Sequence, residues 1–315
     1  RIHAMENRLL NRERIERMIS APSEDEALKV LDECGYGSTA GGSVESRLAG
    51  ARAALLDEVQ AAVPEPRLVD VFRLKYDYHN AKALVKGEAT GADVRRLLVS
   101  GGRYSCRQLL EGFQKDALSG VSARFQQAVA AARRILADTR DPQQCDILLD
   151  KACYEEMARL AEDCASPFLK GYVRLCADTA NLRTAVRVAR MGKGSDFLLH
   201  VLLPGGSVAE SALAAARPED LGSLFQAGAL EKAARLGARA AQPDGGPLLA
   251  FERECDNALT RYVAAAKRVP FGEEPVIAFL HAKDAELTAV RTILSGRRAG
   301  LDAATIWERL RECYV

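Results

Sequence analysis

RLKYDYHNAKALVKG, residues 73–87, is written three times along this chain in diverging form. The second copy is RLCADTANLRTAVRV, residues 174–188, and the third, weaker one is AKDAELTAVRTILSG, residues 282–296. Aligning Asn80, Asn181 and Ala289 gives offsets of 101 and 108 residues. An acidic residue stands three places earlier in each copy (Asp77, Asp178, Glu286), and a basic one two places later (Lys82, Arg183, Arg291). Apolar residues fall at Leu74, Tyr78, Ala81 and Val85 in the first copy, at Leu175, Leu182 and Val186 in the second, and at Leu287, Val290 and Leu294 in the third. Thr179 and Lys283 fill the remaining slots. Steps of four, three and four put these positions on one helix face. A helix that recurs with its polar residues in register predicts an internal repeat. The expected units are residues 1–101, 102–204 and 205–315.

Composition sets the class. The chain has 315 residues, 48% hydrophobic and 28% charged, as in an ordinary folded protein. Only 6% are aromatic, and Ala and Leu are abundant, which favours helices over strands. With 44 basic against 43 acidic residues the net charge is +1, so no global field invites nucleic acid. No apolar run approaches the roughly 18 residues that a membrane span needs. The chain opens on Arg1 rather than Met, which predicts further residues ahead of it, and no secretory signal is visible. None of the eight cysteines lies in a CxxC pair, so they read as reduced thiols on helices in a cytosolic protein.

Local signals predict an all-α chain. Ile2, Met5, Leu9 and Leu10 form an apolar stripe on a first helix. Ser23 with Glu26 makes a capping box, and Gly35 and Gly37 close the helix that it opens. Gly41-Gly42 reads as a loop, and Ser43 can cap the helix after it. Pro64 and Pro66, Pro167, and Pro270 and Pro275 each break the helix that precedes a repeat helix. Gly87 has the character of a C-terminal stop for the first repeat helix, whereas the second, with Val188 at that place, should run on to Gly192. The Gly-rich end of residues 233–247 reads as a surface loop, and residues 251–266 as a helix.

Catalytic signatures are absent. The four histidines are isolated, and no HExxH or acidic diphosphate-binding cluster occurs. Residues 190–195, RMGKGS, lack the leading Gly and the strand of a phosphate-binding loop. Neither a cofactor nor a metal is expected. Asp77 with Asn80, Asp178 with Asn181, and Glu286 are costly to bury without partners, so they are expected where repeat units meet. Arg73 and Arg174, four residues ahead of the two aspartates, can bridge along the helix or reach elsewhere. The segments after the three repeat helices, KGEATG, RMGKGS and SGRRAG, all carry Gly and basic residues. Lys86, Arg190, Lys193, Arg297 and Arg298 are therefore candidates for one rim of a docking surface, against solvated helix ends as the plainer alternative.

Three stretches carry a family resemblance. Residues 77–87, DYHNAKALVKG, resemble the recurrent D-x-x-N-L-K-x-L-L-K-G element of the C subunit of the prokaryotic V-type (A-type) rotary ATPase, or ATP synthase, whose eukaryotic V-ATPase counterpart is the d subunit. Residues 274–311 resemble the C-terminal signature of that family, and residues 1–19 its beginning. The resemblance implies three similar helical domains forming a funnel with a central cavity. It implies a non-catalytic adaptor, cytoplasmic and peripheral to the membrane through its complex. The adaptor would socket the central shaft subunits and dock on the membrane rotor-ring subunits, without inserting into the bilayer or binding nucleic acid. Ala289 in place of Asn, Glu286 in place of Asp and Val188 in place of Gly depart from the pattern. The alternative is a general helical-repeat scaffold that binds a partner helix or peptide.

Overall fold

The computed structural model describes residues 2–36 and 43–315, so Gly37 and Gly41-Gly42 lie outside the described residues. Among the described residues there are sixteen α-helices, three short 3-10 turns and no strand. In chain order they are α1 (Ile2–Glu6), α2 (Arg12–Ser20), α3 (Glu24–Glu33), α4 (Val44–Ala62), α5 (Arg67–Thr90), α6 (Cys106–Gln114), α7 (Ala123–Thr139) and α8 (Pro142–Asp163). There follow α9 (Pro167–Arg190), α10 (Ser195–Val201), α11 (Glu210–Ala215), α12 (Leu221–Leu224), α13 (Glu231–Ala240), α14 (Leu249–Ala264), α15 (Glu274–Arg298) and α16 (Ala303–Arg309).

Side-chain caps set many of the starts. Ser23, Ser105, Ser122 and Asp302 accept hydrogen bonds from the amides of Glu26, Gln108, Phe125 and Thr305, each three residues on. Asp141 caps α8, with Pro142 in its first turn. The predicted first helix is shorter than its apolar stripe. It ends at Glu6, and Leu9 and Leu10 are buried beyond it, where the Leu10 amide is diverted to the Glu286 carboxylate.

The three repeat helices are α5, α9 and α15, of 24, 24 and 25 residues. Their common stripe is the buried one: Leu74, Tyr78, Ala81 and Val85 are at most 2% exposed, as are Thr179, Leu182 and Val186, while Leu287, Val290 and Leu294 reach at most 3%. All three end in the same backbone motif. Gly91, Gly192 and Gly300 take φ of 68, 65 and 69°, and the next amide in each case bonds back to the carbonyl of Gly87, Val188 or Gly296. These glycines are spaced by the same 101 and 108 residues as the repeat. Gly87 is therefore not the stop that the sequence suggests. It lies inside α5 and is a glycine where a Cβ would overlap the side chain of Val94, just as one at Gly296 would press on Ile306 at 2.9 Å.

The chain forms two compact units. One holds residues 1–51, 174–202 and 206–315, and the other residues 52–173 and 203–205. In the second unit, α5 shares one apolar core with α6, α7 and α8, where the Tyr78 and Phe125 rings meet edge to face at 5.4 Å. Among the described residues of the first unit, two cores stand out. One packs α9 against residues 198–258, and the other packs α15 and α16 against α2, α3 and α4. In all three cores a repeat helix is buried by helices that follow it in sequence, and α15 is covered by the first helices of the chain as well.

Candidate functional site: three buried carboxylates and the basic helix ends

Each repeat helix carries its acidic residue inward. Asp77, Asp178 and Glu286 are 0, 5 and 6% exposed, so each must find compensating donors. Asp77 accepts from the Tyr104 amide at 3.3 Å and from Arg103 Nε at 2.7 Å. Asp178 accepts from the Ser207 amide at 2.7 Å, from Ser207 Oγ at 2.5 Å and from the Val208 amide at 3.4 Å. Glu286 accepts from the Leu10 amide at 2.5 Å, from Lys283 Nζ at 2.5 Å and from the Tyr36 hydroxyl. In all three cases a backbone N–H of a returning chain segment is pinned to the helix.

The paired glycines make this approach possible. Gly101 and Gly205 hold φ of 105 and 89°, and a Cβ on Gly102 or Gly206 would collide with Oδ1 of Asp77 or Asp178. A direct test follows. Gly206→Ala should cost about 1–3 kcal/mol, the scale of overpacking at a closed contact. Adding Asp178→Ala to it should cost much less than the two single changes summed, because the colliding oxygen is gone. Strict additivity in a double-mutant cycle of urea midpoints would contradict the contact.

Around Asp77 the polar contacts form a network. Arg103 bridges Asp77 to Glu156 at 2.8 Å, and Glu156 also accepts from the Tyr78 hydroxyl at 2.8 Å and from Ser122 Oγ at 3.1 Å. Burial pushes the Asp77 carboxyl up to about 6, against the pull of Arg103. Burial acts the same way on Glu156, but there the Arg103 hydrogen bond and charge, with Tyr78 and Ser122, win and hold it below the usual range. Burial beside Glu156 raises the Tyr78 phenol.

Asn80 is fully buried and pairs with both backbone groups of Val99, donating to its carbonyl at 2.9 Å and accepting from its amide at 2.8 Å. Asn181 is 2% exposed. Arg73 does not bridge along the helix to Asp77. It reaches Asp57 on α4 at 2.6 Å and the carbonyls of Gly101 and Gly102. Arg174 is exposed.

The basic residue of each copy meets an acid on a neighbouring helix: Lys82 pairs with Asp150 at 2.5 Å, Arg183 with Asp256 at 2.5 Å and Arg291 with Glu45 at 2.9 Å. One turn on, Lys86 pairs with Asp146 and Arg187 with Glu252. Acid numbers fall as base numbers rise, so α8 and α14 run antiparallel to their repeat helices. Lys86, one of the five candidate rim cations, is thus engaged within the molecule. Arg190 donates to the Gly246 carbonyl at 2.6 Å, and so ties down the Gly-rich segment after α13. Arg297 donates to the carbonyls of Ile19 and Ala21 at 2.5 and 2.6 Å, where its charge also suits the C-terminus of α2. Arg298 pairs with Glu24 at 2.5 Å. Lys193 is exposed and lies 5.9 Å from the centre of the Phe197 ring.

Sequence reasoning missed Arg103, Glu156, Ser207 and Tyr36. A signal existed for two of them: Arg103 and Ser207 each directly follow a Gly-Gly pair, 104 residues apart. Among the described residues no group of three or more His, Cys, Asp or Glu is arranged to hold a metal ion, and no helix is long and apolar enough to cross a membrane.

The family model described as ATP synthase (C/AC39) subunit matches residues 1–309. The chain belongs to the ATP synthase (C/AC39) subunit family. It is similar to the C subunit of the V-type sodium ATPase of Enterococcus hirae, 23% identical over 99% of this chain and 97% of that one. It is also similar to the C subunit of the V-type ATP synthase of Thermus thermophilus, 28% identical over 90% and 88% of the two chains. The C subunit of the A-type ATP synthase of Haloferax volcanii is 28% identical over 76% and 72%. As a member of the C/AC39 family, the chain is a structural, non-catalytic part of a V/A-type rotary ATPase.

Proposed function

We propose that this protein is the rotor adaptor of its ATPase, seating the end of the central shaft and docking it on the membrane ring. ATP hydrolysis or synthesis would thereby be coupled to ion movement. The observation that carries this reading is the family match across residues 1–309, which takes in all three repeat helices. The physical character of the cores supports it. An element that transmits torque must be stiff, and here long helices are locked to their neighbours by buried carboxylates and ion pairs as well as by close packing. We propose further that the three repeats correspond to three similar domains around the shaft socket, with Asp77, Asn80, Asp178, Asn181 and Glu286 at their joints. The protein would work on the cytoplasmic side, peripheral to the membrane.

Docking is assigned to the last turns of the repeat helices, where Lys86, Arg190, Arg297 and Arg298 lie inside α5, α9 and α15, and to the turn after α9 that carries Lys193. Because Lys86, Arg190, Arg297 and Arg298 already have acceptors, Lys193 is the cleanest probe. Lys193→Glu should leave folding unchanged and weaken recovery of the ring subunits several-fold, most strongly at low salt. Co-purification of shaft and ring subunits with the tagged chain, as a function of salt, measures this. Unchanged recovery of the ring would remove the segment after α9 from the docking surface. Absence of both shaft and ring from the purified assembly would overturn the adaptor role itself.

A further inference from the structure

We propose that His3 is a pH-operated latch which, when protonated, ties the N-terminal helix to the turn that carries Phe271. Both ring nitrogens of His3 face groups that only accept hydrogen bonds: Nδ1 lies 2.8 Å from the Glu6 carboxylate and Nε2 lies 3.2 Å from the Val269 carbonyl. A neutral imidazole has one N–H and can satisfy one of them, whereas the imidazolium satisfies both. The second acceptor belongs to the turn between α14 and α15. Two residues on, Phe271 stands between Pro270 and Gly272 and is 86% exposed.

The surrounding groups tie this point to the end of the chain as well. The other Glu6 oxygen accepts from the Tyr314 hydroxyl at 3.2 Å, and Lys267 Nζ lies 4.8 Å from the centre of the Tyr314 ring. Glu6 is the charged group on α1 that contacts His3, and Tyr314 and Lys267 reach the latch only through it, Tyr314 by its hydrogen bond to Glu6 and Lys267 over the Tyr314 ring. The Glu6 hydrogen bond raises the His3 pKa, the Val269 carbonyl adds to it, and desolvation opposes it. A histidine whose pKa is raised by a contact holds that contact fully below its ordinary pKa and loses it as the pH rises through the raised value. The latch is therefore shut in acid and open in alkali.

Nuclear magnetic resonance of the full chain tests this, because only four histidines must be assigned. His3 should titrate above 6.5. Hydrogen-exchange protection of the Arg8, Leu9 and Val269 amides, corrected for intrinsic rates, should fall through the same midpoint. The loss in powers of ten should equal the difference between the His3 pKa and that of an unstructured histidine. Glu6→Gln should lower the midpoint and shrink the loss, and His3→Gln should abolish the pH dependence while the chain stays folded. A His3 midpoint at or below 6.5, or protection that stays flat through it, would overturn the latch.

Discussion

Arg103→Met is expected to remove about 3–5 kcal/mol of stability at pH 8 and distinctly less at pH 5, the cost of stripping the partner from a buried ion pair. Arg103 is the cation between two carboxylates that are themselves 0 and 5% exposed. Methionine preserves much of the side-chain volume, so the loss reports charge rather than a cavity. The sign of the pH effect follows from the two acids. In the intact protein they oppose each other. Asp77, raised to about 6, is stabilising where it keeps its proton and loses that contribution as the pH rises from about 4 through 6. Glu156, held low, contributes stability above the ordinary carboxylate range and loses it as the pH falls. Without Arg103 both acids lose the main pull against burial, Tyr78, Ser122 and the Tyr104 amide oppose it only in part, both shift upward, and protonation at low pH relieves both. Urea unfolding at the two pH values reads the difference. A cost below about 1 kcal/mol, or one equal at both values, would mean that the network is not held by this guanidinium.

Glu286→Ala is expected to cost about 3 kcal/mol and to loosen the N-terminal helices before the rest of the chain. The carboxylate is the shared acceptor for the Leu10 amide, the Tyr36 hydroxyl and Lys283 Nζ. Truncation leaves Lys283, whose side chain is 13% exposed, without its counter-charge, and leaves a backbone donor without its acceptor. Glu286→Gln should be milder, because an amide oxygen still accepts from Leu10. Limited proteolysis followed by mass spectrometry should show cleavage within residues 2–36 appearing first in the alanine variant. If cleavage there is no faster than in the parent chain, this contact does not hold the segment.

These two positions show what could be read from the chain before folding. The repeat offsets located all three long helices, and the proline before or at the start of each marked its beginning. The acids were legible as residues costly to bury without partners. Their partners were not, because Arg103 is 26 residues from Asp77, and Leu10 is 276 from Glu286. Apart from the repeated Gly-Gly pair ahead of Arg103 and Ser207, no local rule marks groups so far apart; only the packed backbone joins them. Gly87 misled because a helix-interior glycine that makes room for Val94 has the same letter as one that ends a helix. The true ends, Gly91, Gly192 and Gly300, obey the repeat spacing, and the offsets could have found them. The basic segments were visible as charge, but the carbonyls that engage Arg190 and Arg297 belong to distant parts of the chain and leave no mark in the local sequence.

The core that joins α2, α3 and α4 to α15 and α16 has a consequence during synthesis. Residues 10–36 and 44–48 leave the ribosome early, yet the apolar surface that seals them, residues 287–310, is made roughly 240 residues later. At translation rates of about 5–20 residues per second, that greasy surface waits about 10–50 s for its cover. The nascent chain must pass through a sticky half-built state, and factors that shield newborn polypeptides should set its yield in the cell more than the stability of the finished molecule does.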